Sequence, residues 1–341
     1  MSRHPVAATL LCAEKPAFAT LQDSGRRGWM RWGVSGSGAM DVASLAAANA
    51  LVGNRWDEAA IEFALTGGEW LVQAHSCRVA ITGGAFRVLV DGQEELPYCN
   101  LDLRRGQRLR IWGAPQAVWG YLAVQGGFDV EAALGSRSTQ TRAGLGGVNG
   151  AVIDAGPTLA LQRDQVEHAP RLRLEPPPRG SRVEIRVLLG PQEDHFTQSA
   201  LRNFLTEEWQ VSNHIDRMGY HLRGATLTHN ERGANIVSDG IVAGSIQVPG
   251  SGQPIVLMKD CQPTGGYPKI ATVLTADLGL LAQARPGSMV RFHAVTAVEA
   301  ERAYRDFAAS LAGISALTTP SGSPFGRRRG NVSDLIFSRP Q

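Results

Sequence analysis

The chain reads as a mainly β protein made of two similar halves, a duplicated barrel with only a few short helices. Three observations predict this. Apolar, strand-like runs recur along the 341 residues with turn signals between them. Glycine is abundant, 39 residues in all, where an ordinary chain has about 7%, and glycine supplies the positive φ of tight turns. The segments LRRGQRLRI (103–111) and ARPGSMVRF (284–292) echo each other: a turn glycine is followed at the same distance by an apolar residue, an arginine and a second apolar residue.

Taken in order, VAATLLCA is expected as the first strand. The stretch DVASLAAANALVG is a helix, with Asp41 as N-cap and Gly53 at its end. Strands follow at RVAITGG, FRVLVDG, QRLRIWG and AVWGYLAVQGG. The prolines Pro176 to Pro178 force extended backbone, so a boundary is placed near residue 180. Beyond it, RVEIRVLLGP, GSIQVPGSG, QPIVLMKD and SMVRFHAV read as strands. A helix is expected over 297–312, where Thr296 and Glu299 form a capping box, Val298, Ala303, Tyr304, Phe307 and Leu311 give an apolar stripe, and Gly313 stops it. The predicted domains are 1–180, 181–316 and a flexible Ser/Gly/Pro-rich tail over 317–341. Helices do not alternate with strands, which argues against a doubly wound sheet.

Composition excludes several function classes. The formal net charge is +3 with both signs mixed along the chain, so no footprint for nucleic acid is present. The one dense basic cluster, Arg327 to Arg329, reads as part of a solvated tail. No window approaches the ~18 apolar residues of a membrane span, and the N-terminus reads as a strand followed by polar turns rather than a signal peptide. Cys12, Cys77, Cys99 and Cys261 have no metal-type spacing, which fits a reducing cytoplasm.

The echo between the halves singles out one loop. Each copy is preceded by a strand ending in aspartate, Asp91 or Asp260, and the interval that follows is longer in the second copy, where it holds TGGYPKIATV. Loops added to a shared scaffold are a common place for function. Other glycine-rich stretches, 22–41, 134–147 and 214–222, lack the spacing of a phosphate cradle and read equally as ordinary turns. His195 beside Asp194, and His214 near Asp216, have no further metal ligands, so no metal is expected. Gly36-Ser37-Gly38 lacks the spacing of a nucleophile elbow, and Cys261 has no base assigned to it. What remains are donors in turns. Arg217, locally paired with Asp216, can receive a carboxylate or carbonyl oxygen, and Lys269 follows a Gly-Gly-Tyr-Pro turn whose Gly265 and Gly266 amides can face an oxyanion. Against this, a lone lysine after a turn is most often solvated.

These motifs resemble the family that comprises the 5-oxoprolinase C subunit, allophanate hydrolase subunit 2 and the carboxyltransferase domain of urea carboxylase. The resemblance rests on TLQDSGRRG, GVSGSGAMD, ANALVGN, YLAVQGGFD, LGSRSTQTRAGLGG, GPQEDHF, DRMGYHL, SDGIVAGSIQVP, QPTGGYPKIA and ADLGLLAQARPG, over about residues 10–310. It implies two cyclophilin-like β-barrel subdomains in tandem and a groove lined by Asp216 to Gly219 and Thr264 to Lys269. Within that groove Lys269, Arg217 and Tyr267 form the expected catalytic set. Arg217 and Lys269 stabilise developing negative charge, and Asp216, Met218, Gln247, Gln262, Thr264, Gly265 and Gly266 contact or orient the substrate.

The resemblance also implies a subunit of an ATP-dependent 5-oxoprolinase, hydrolysing 5-oxo-L-proline to L-glutamate with a kinase-inhibitor-like subunit and a third, ring-opening subunit. ATP is then used at the level of the complex. Biotin is not carried on this chain, because Met258-Lys259 precedes Asp260 and reads as a strand. The alternatives are a carboxyltransferase subunit moving a carboxyl group from carboxybiotin to urea or a similar amide, and a non-catalytic antagonist of a kinase-inhibitor protein. Pro263 stands where the family more often has threonine.

Overall fold

The computed structural model describes residues 8–167, 170–178 and 180–320. The described residues divide into two compact units: 8–25 with 41–167, 170–178 and 309–320, and 26–40 with 180–308. The basic cluster Arg327 to Arg329 lies outside the described residues.

The first unit is built on a six-stranded and a five-stranded sheet. The helix Val42–Val52 packs on the strands Ser76–Thr82 and Trp119–Val124 and is buried on nearly every side. That accounts for its run of alanine, leucine and valine without a polar face. Its ends are as the sequence predicts: the Asp41 carboxylate accepts from the Ser44 N–H at 3.1 Å, and Gly53 takes the left-handed φ of 78° that closes the last turn. One of the glycine-rich stretches, 134–147, is structural in this unit. Asp23 accepts hydrogen bonds from Gly25 N–H, Ser136 Oγ, Ser138 Oγ and Arg137 N–H, so the 134–147 stretch serves to satisfy a buried carboxylate.

The second unit contains a closed seven-stranded barrel. Its strands run in the order Arg182–Leu189, Lys269–Val273, Ser245–Gln247, Ile255–Leu257, Gly219–Arg223, Trp209–Ile215 and Met289–Ala294, the last returning to the first in parallel. Closure removes the unpaired sheet edges. Alternation along the strands turns Ile185, Val187, Val211, Tyr220, Leu222, Ile246, Val256, Val290 and Phe292 inward, all under 2% exposed. Buried aromatic polar atoms find partners: Trp209 Nε1 donates to the Phe204 carbonyl at 3.1 Å, and Tyr220 Oη to the Ala282 carbonyl at 2.6 Å.

The terminal helix spans Ala297–Gly313 with its capping box formed: Thr296 N–H donates to Glu299 Oε2 at 2.7 Å and Glu299 N–H to Thr296 Oγ1 at 3.3 Å. Phe307 and Leu311 are buried, whereas Val298 and Tyr304 of the expected stripe face solvent. Two helices go unread in the sequence: Gln198–Thr206, amphipathic but only nine residues long, and the short Leu278–Ala282.

Candidate active site

The loop that follows Asp260 is held at both ends by an ion pair, and both pairs lie within the second unit. At its far end Lys269 is the first residue of the strand Lys269–Val273. Its side chain is 5% exposed, and Nζ lies 2.7 Å from Asp239 Oδ2. The lysine is therefore a buried, paired ammonium and not the solvated side chain that a lysine after a turn usually is. Gln192 braces the same pair, since its Oε1 accepts from the Lys269 N–H at 3.2 Å and its Nε2 donates to Asp239 Oδ2 at 3.3 Å. The backbone is clamped from the opposite side by Gly190, where an added Cβ would stand 2.1 Å from the Lys269 carbonyl oxygen. That is why GPQEDHF begins with glycine.

At the near end Arg217 makes a two-point pair with Asp260, Nε to Oδ2 at 2.7 Å and Nη2 to Oδ1 at 2.9 Å, and Nη2 also donates to the Gly38 carbonyl at 2.9 Å. The expected local pairing with Asp216 does not form. Asp216 instead accepts from the Met218 and Gly219 N–H groups at 2.7 and 3.0 Å, closing the turn between two barrel strands. Its carboxylate is spent on backbone donors two and three residues ahead, so the guanidinium swings to a carboxylate 43 residues away. The backbone doubles the link, with Asp260 N–H donating to the Arg217 carbonyl at 2.7 Å. This contact draws the chain out of the sheet, so the strand ends at Leu257 and Lys259 sits in a turn rather than a strand.

Between the pinned ends, Thr264–Gly265 pairs antiparallel with Asp239–Gly240, placing Gly265 opposite Asp239. Pro263 fits here because it needs only to accept, its carbonyl taking the Ile241 N–H at 2.9 Å. A Cβ on Gly265 would meet Ile241 Cδ1 at 2.4 Å and Gln247 Nε2 at 2.7 Å, so a larger residue here has to displace the ends of both side chains. Gln247 is buried, lies opposite Lys269 in the barrel register, and reaches the Tyr267 carbonyl at 3.5 Å. Tyr267 is 42% exposed, and Gln262 and Thr264 are exposed as well. The Gly266 carbonyl is taken up by Ile236 N–H at 2.9 Å, and Met218 is half-buried. The structure thus brings together Lys269, Gln247, Gly265 and Tyr267, while Arg217, Asp216 and Met218 sit at the anchoring end of the loop.

The charges at the site are set by these contacts. Lys269 hydrogen-bonded to Asp239, helped by the Gly240 N–H, holds the Asp239 carboxyl below the ordinary carboxylate range. Burial, with Asp260 beside it, pushes the Cys261 thiol up to about 11, so it is a neutral thiol at neutral pH and no nucleophile. The His195 ring nitrogen contacts the Gly233 carbonyl. Among the described residues no cluster of three metal-ligating side chains forms, and no helix is long and apolar enough to cross a membrane.

Sequence reasoning missed Asp239, Gln192 and Gly38, and noted Asp260 only as the end of a strand. Asp239 and Gln192 stand inside SDGIVAGSIQVP and GPQEDHF, but nothing local ties either to a lysine 30 or 77 residues further on.

Known proteins share this architecture. The family model described as "Carboxyltransferase domain, subdomain A and B" matches residues 32–294. The C subunit of the Haemophilus influenzae 5-oxoprolinase is 41% identical over 287 residues, covering 84% of this chain and 91% of its own length. The Escherichia coli protein of the same name is 35% identical over 290 residues, covering 85% and 92%. The crystal structure of the K. lactis urea amidolyase matches with a TM-score of 0.82 at 26% identity; it covers 91% of this chain, which spans 20% of that much longer protein.

Proposed function

We propose that this chain, which belongs to the family of carboxyltransferase domains with subdomains A and B, works as a subunit of an ATP-dependent 5-oxoprolinase complex that hydrolyses 5-oxo-L-proline to L-glutamate. The relatives named for that subunit match it over nearly their whole length, which supports a chain acting beside partner subunits. In this reading one partner is kinase-inhibitor-like, another completes ring opening, and the complex works in the cytoplasm.

The observation that carries the chemistry is Lys269. Its ammonium is buried and held in one place by Asp239 at 2.7 Å. Opening a lactam puts negative charge on the carbonyl oxygen, and a fixed, desolvated donor stabilises that charge more than a mobile one in water. Tyr267 and Gln262, exposed on the same loop, orient the substrate. Arg217 serves as a positioning residue through Asp260. Both cations of the site are already neutralised by carboxylates at 2.7 Å, a donor set that does not suit a triphosphate. ATP is therefore assigned to the complex, and no step here passes through it.

The test is to assemble the chain with its partner subunits and measure glutamate release. Release that requires ATP, 5-oxoproline and this chain together supports the reading; release unchanged when the chain is omitted refutes it. The likeness to urea amidolyase favours one second reading, a carboxyltransferase serving a separate biotin protein. Carboxylation of urea by this chain when a separate, carboxylated biotin protein is supplied would select it.

A further inference from the structure

Lys269 and Asp239 differ sharply in access. The lysine side chain is 5% exposed and the aspartate 53%, so a ligand arriving from solvent meets the carboxylate first. An exposed carboxylate in front of a buried ammonium repels anions and welcomes N–H donors. Neither group is saturated among the described residues. Asp239 takes hydrogen bonds from Lys269 Nζ, Gln192 Nε2 and Gly240 N–H, three of the roughly four that a carboxylate accepts. The ammonium gives one of its three N–H groups to Asp239.

The pair therefore presents a donor and an acceptor side by side, 2.7 Å apart. An amide held cis, as in a lactam ring, presents the complement: its C=O and N–H lie on the same edge, with O and N about 2.2 Å apart from standard bond lengths. An open-chain secondary amide is trans and points these groups in opposite directions. We propose that Lys269 and Asp239 together form a recognition edge for the cis N–H and C=O of a small lactam, with Asp239 as a specificity-determining residue that accepts the ring N–H. This deepens the 5-oxoprolinase reading and rests on it. It also sets the orientation: the amide edge leads, and the substrate's own carboxylate is turned away from Asp239. Asp239 is ionised at neutral pH like any ordinary carboxyl, and the hydrogen bonds from Lys269 and the Gly240 N–H favour that accepting form further.

The experiment uses the assembled complex and two ligands, 5-oxoproline and the lactone in which ring oxygen replaces N–H. For wild type, KM for the lactam and the inhibition constant of the lactone are measured, then repeated with Asp239→Ala and with Asp239→Asn, which keeps an acceptor oxygen. The expected result is a loss of about tenfold or more in lactam kcat/KM for Asp239→Ala, a clearly smaller loss in lactone binding, which reports only what Asp239 does by holding Lys269, and partial recovery of the lactam in Asp239→Asn. Equal weakening of lactam and lactone overturns the inference, since Asp239 would then only hold Lys269 in place, and so does an unchanged lactam. A wild-type complex that releases no glutamate overturns the functional reading itself and the inference with it, before any variant is made.

Discussion

Arg217 and Asp260 meet in a two-point pair, 2.7 and 2.9 Å, with side chains 5% and 9% exposed. Removing one partner leaves the other charge buried. Asp260→Ala is therefore expected to destabilise the protein by about 3–5 kcal/mol, read from urea unfolding. Arg217→Lys recovers little of an Arg217→Ala loss, because an ammonium cannot reproduce the planar fork. Full stability in Asp260→Ala would show that the pair does not anchor the loop.

Lys269→Met should separate stability from activity. Its partner Asp239 is half exposed and rehydrates when the ammonium is lost, so the fold survives. Turnover of the assembled complex falls by about a hundred- to a thousandfold, the usual loss when one donor to a developing oxyanion is removed. Wild-type glutamate release from the variant would remove Lys269 from the chemistry.

Acid should loosen the Lys269–Asp239 pair late. The Asp239 carboxyl titrates below its ordinary 3.8, chiefly because Lys269 hydrogen-bonds to it and then because of the Gly240 N–H. The folded-state value is the lower one, so the stabilisation is present above the unfolded-state value and is lost as pH falls through the folded one. Carboxyl-carbon NMR of Asp239 should give a midpoint below 3.8 that rises in Lys269→Met. A midpoint unmoved by that change would contradict the contact.

Alkali acts through the thiols. Burial raises Cys12 and Cys261 to about 11 and Cys77 to about 12 from an ordinary 9.0. A raised folded-state value means the contribution is complete below pH 9 and is lost as pH climbs towards 11 and 12, where the unfolded chain is already ionised. Thiol reagents at about pH 8, below the ordinary thiol range, should leave the folded chain nearly untouched, and denaturant should release all four cysteines. Rapid labelling of Cys261 without unfolding would contradict its burial.

How much of this was legible in the sequence depended on distance along the chain. The helix caps at Asp41 and at Thr296 with Glu299 are contacts over three residues, and local chemistry predicts such contacts well. The strands were readable from alternation and turn glycines, and the loop ending in Lys269 stood out by its composition. By itself, then, the sequence determined a mainly β chain, the punctuation of its elements and one loop of unusual chemistry. Tertiary structure alone decided which charges meet. Asp239 lies 30 residues before Lys269, Asp260 lies 43 after Arg217, and the Gly38 carbonyl lies 179 before it. The physical reason is barrel closure. It sets strands distant in sequence side by side, and the low dielectric then requires each buried ion to find a partner wherever the register provides one.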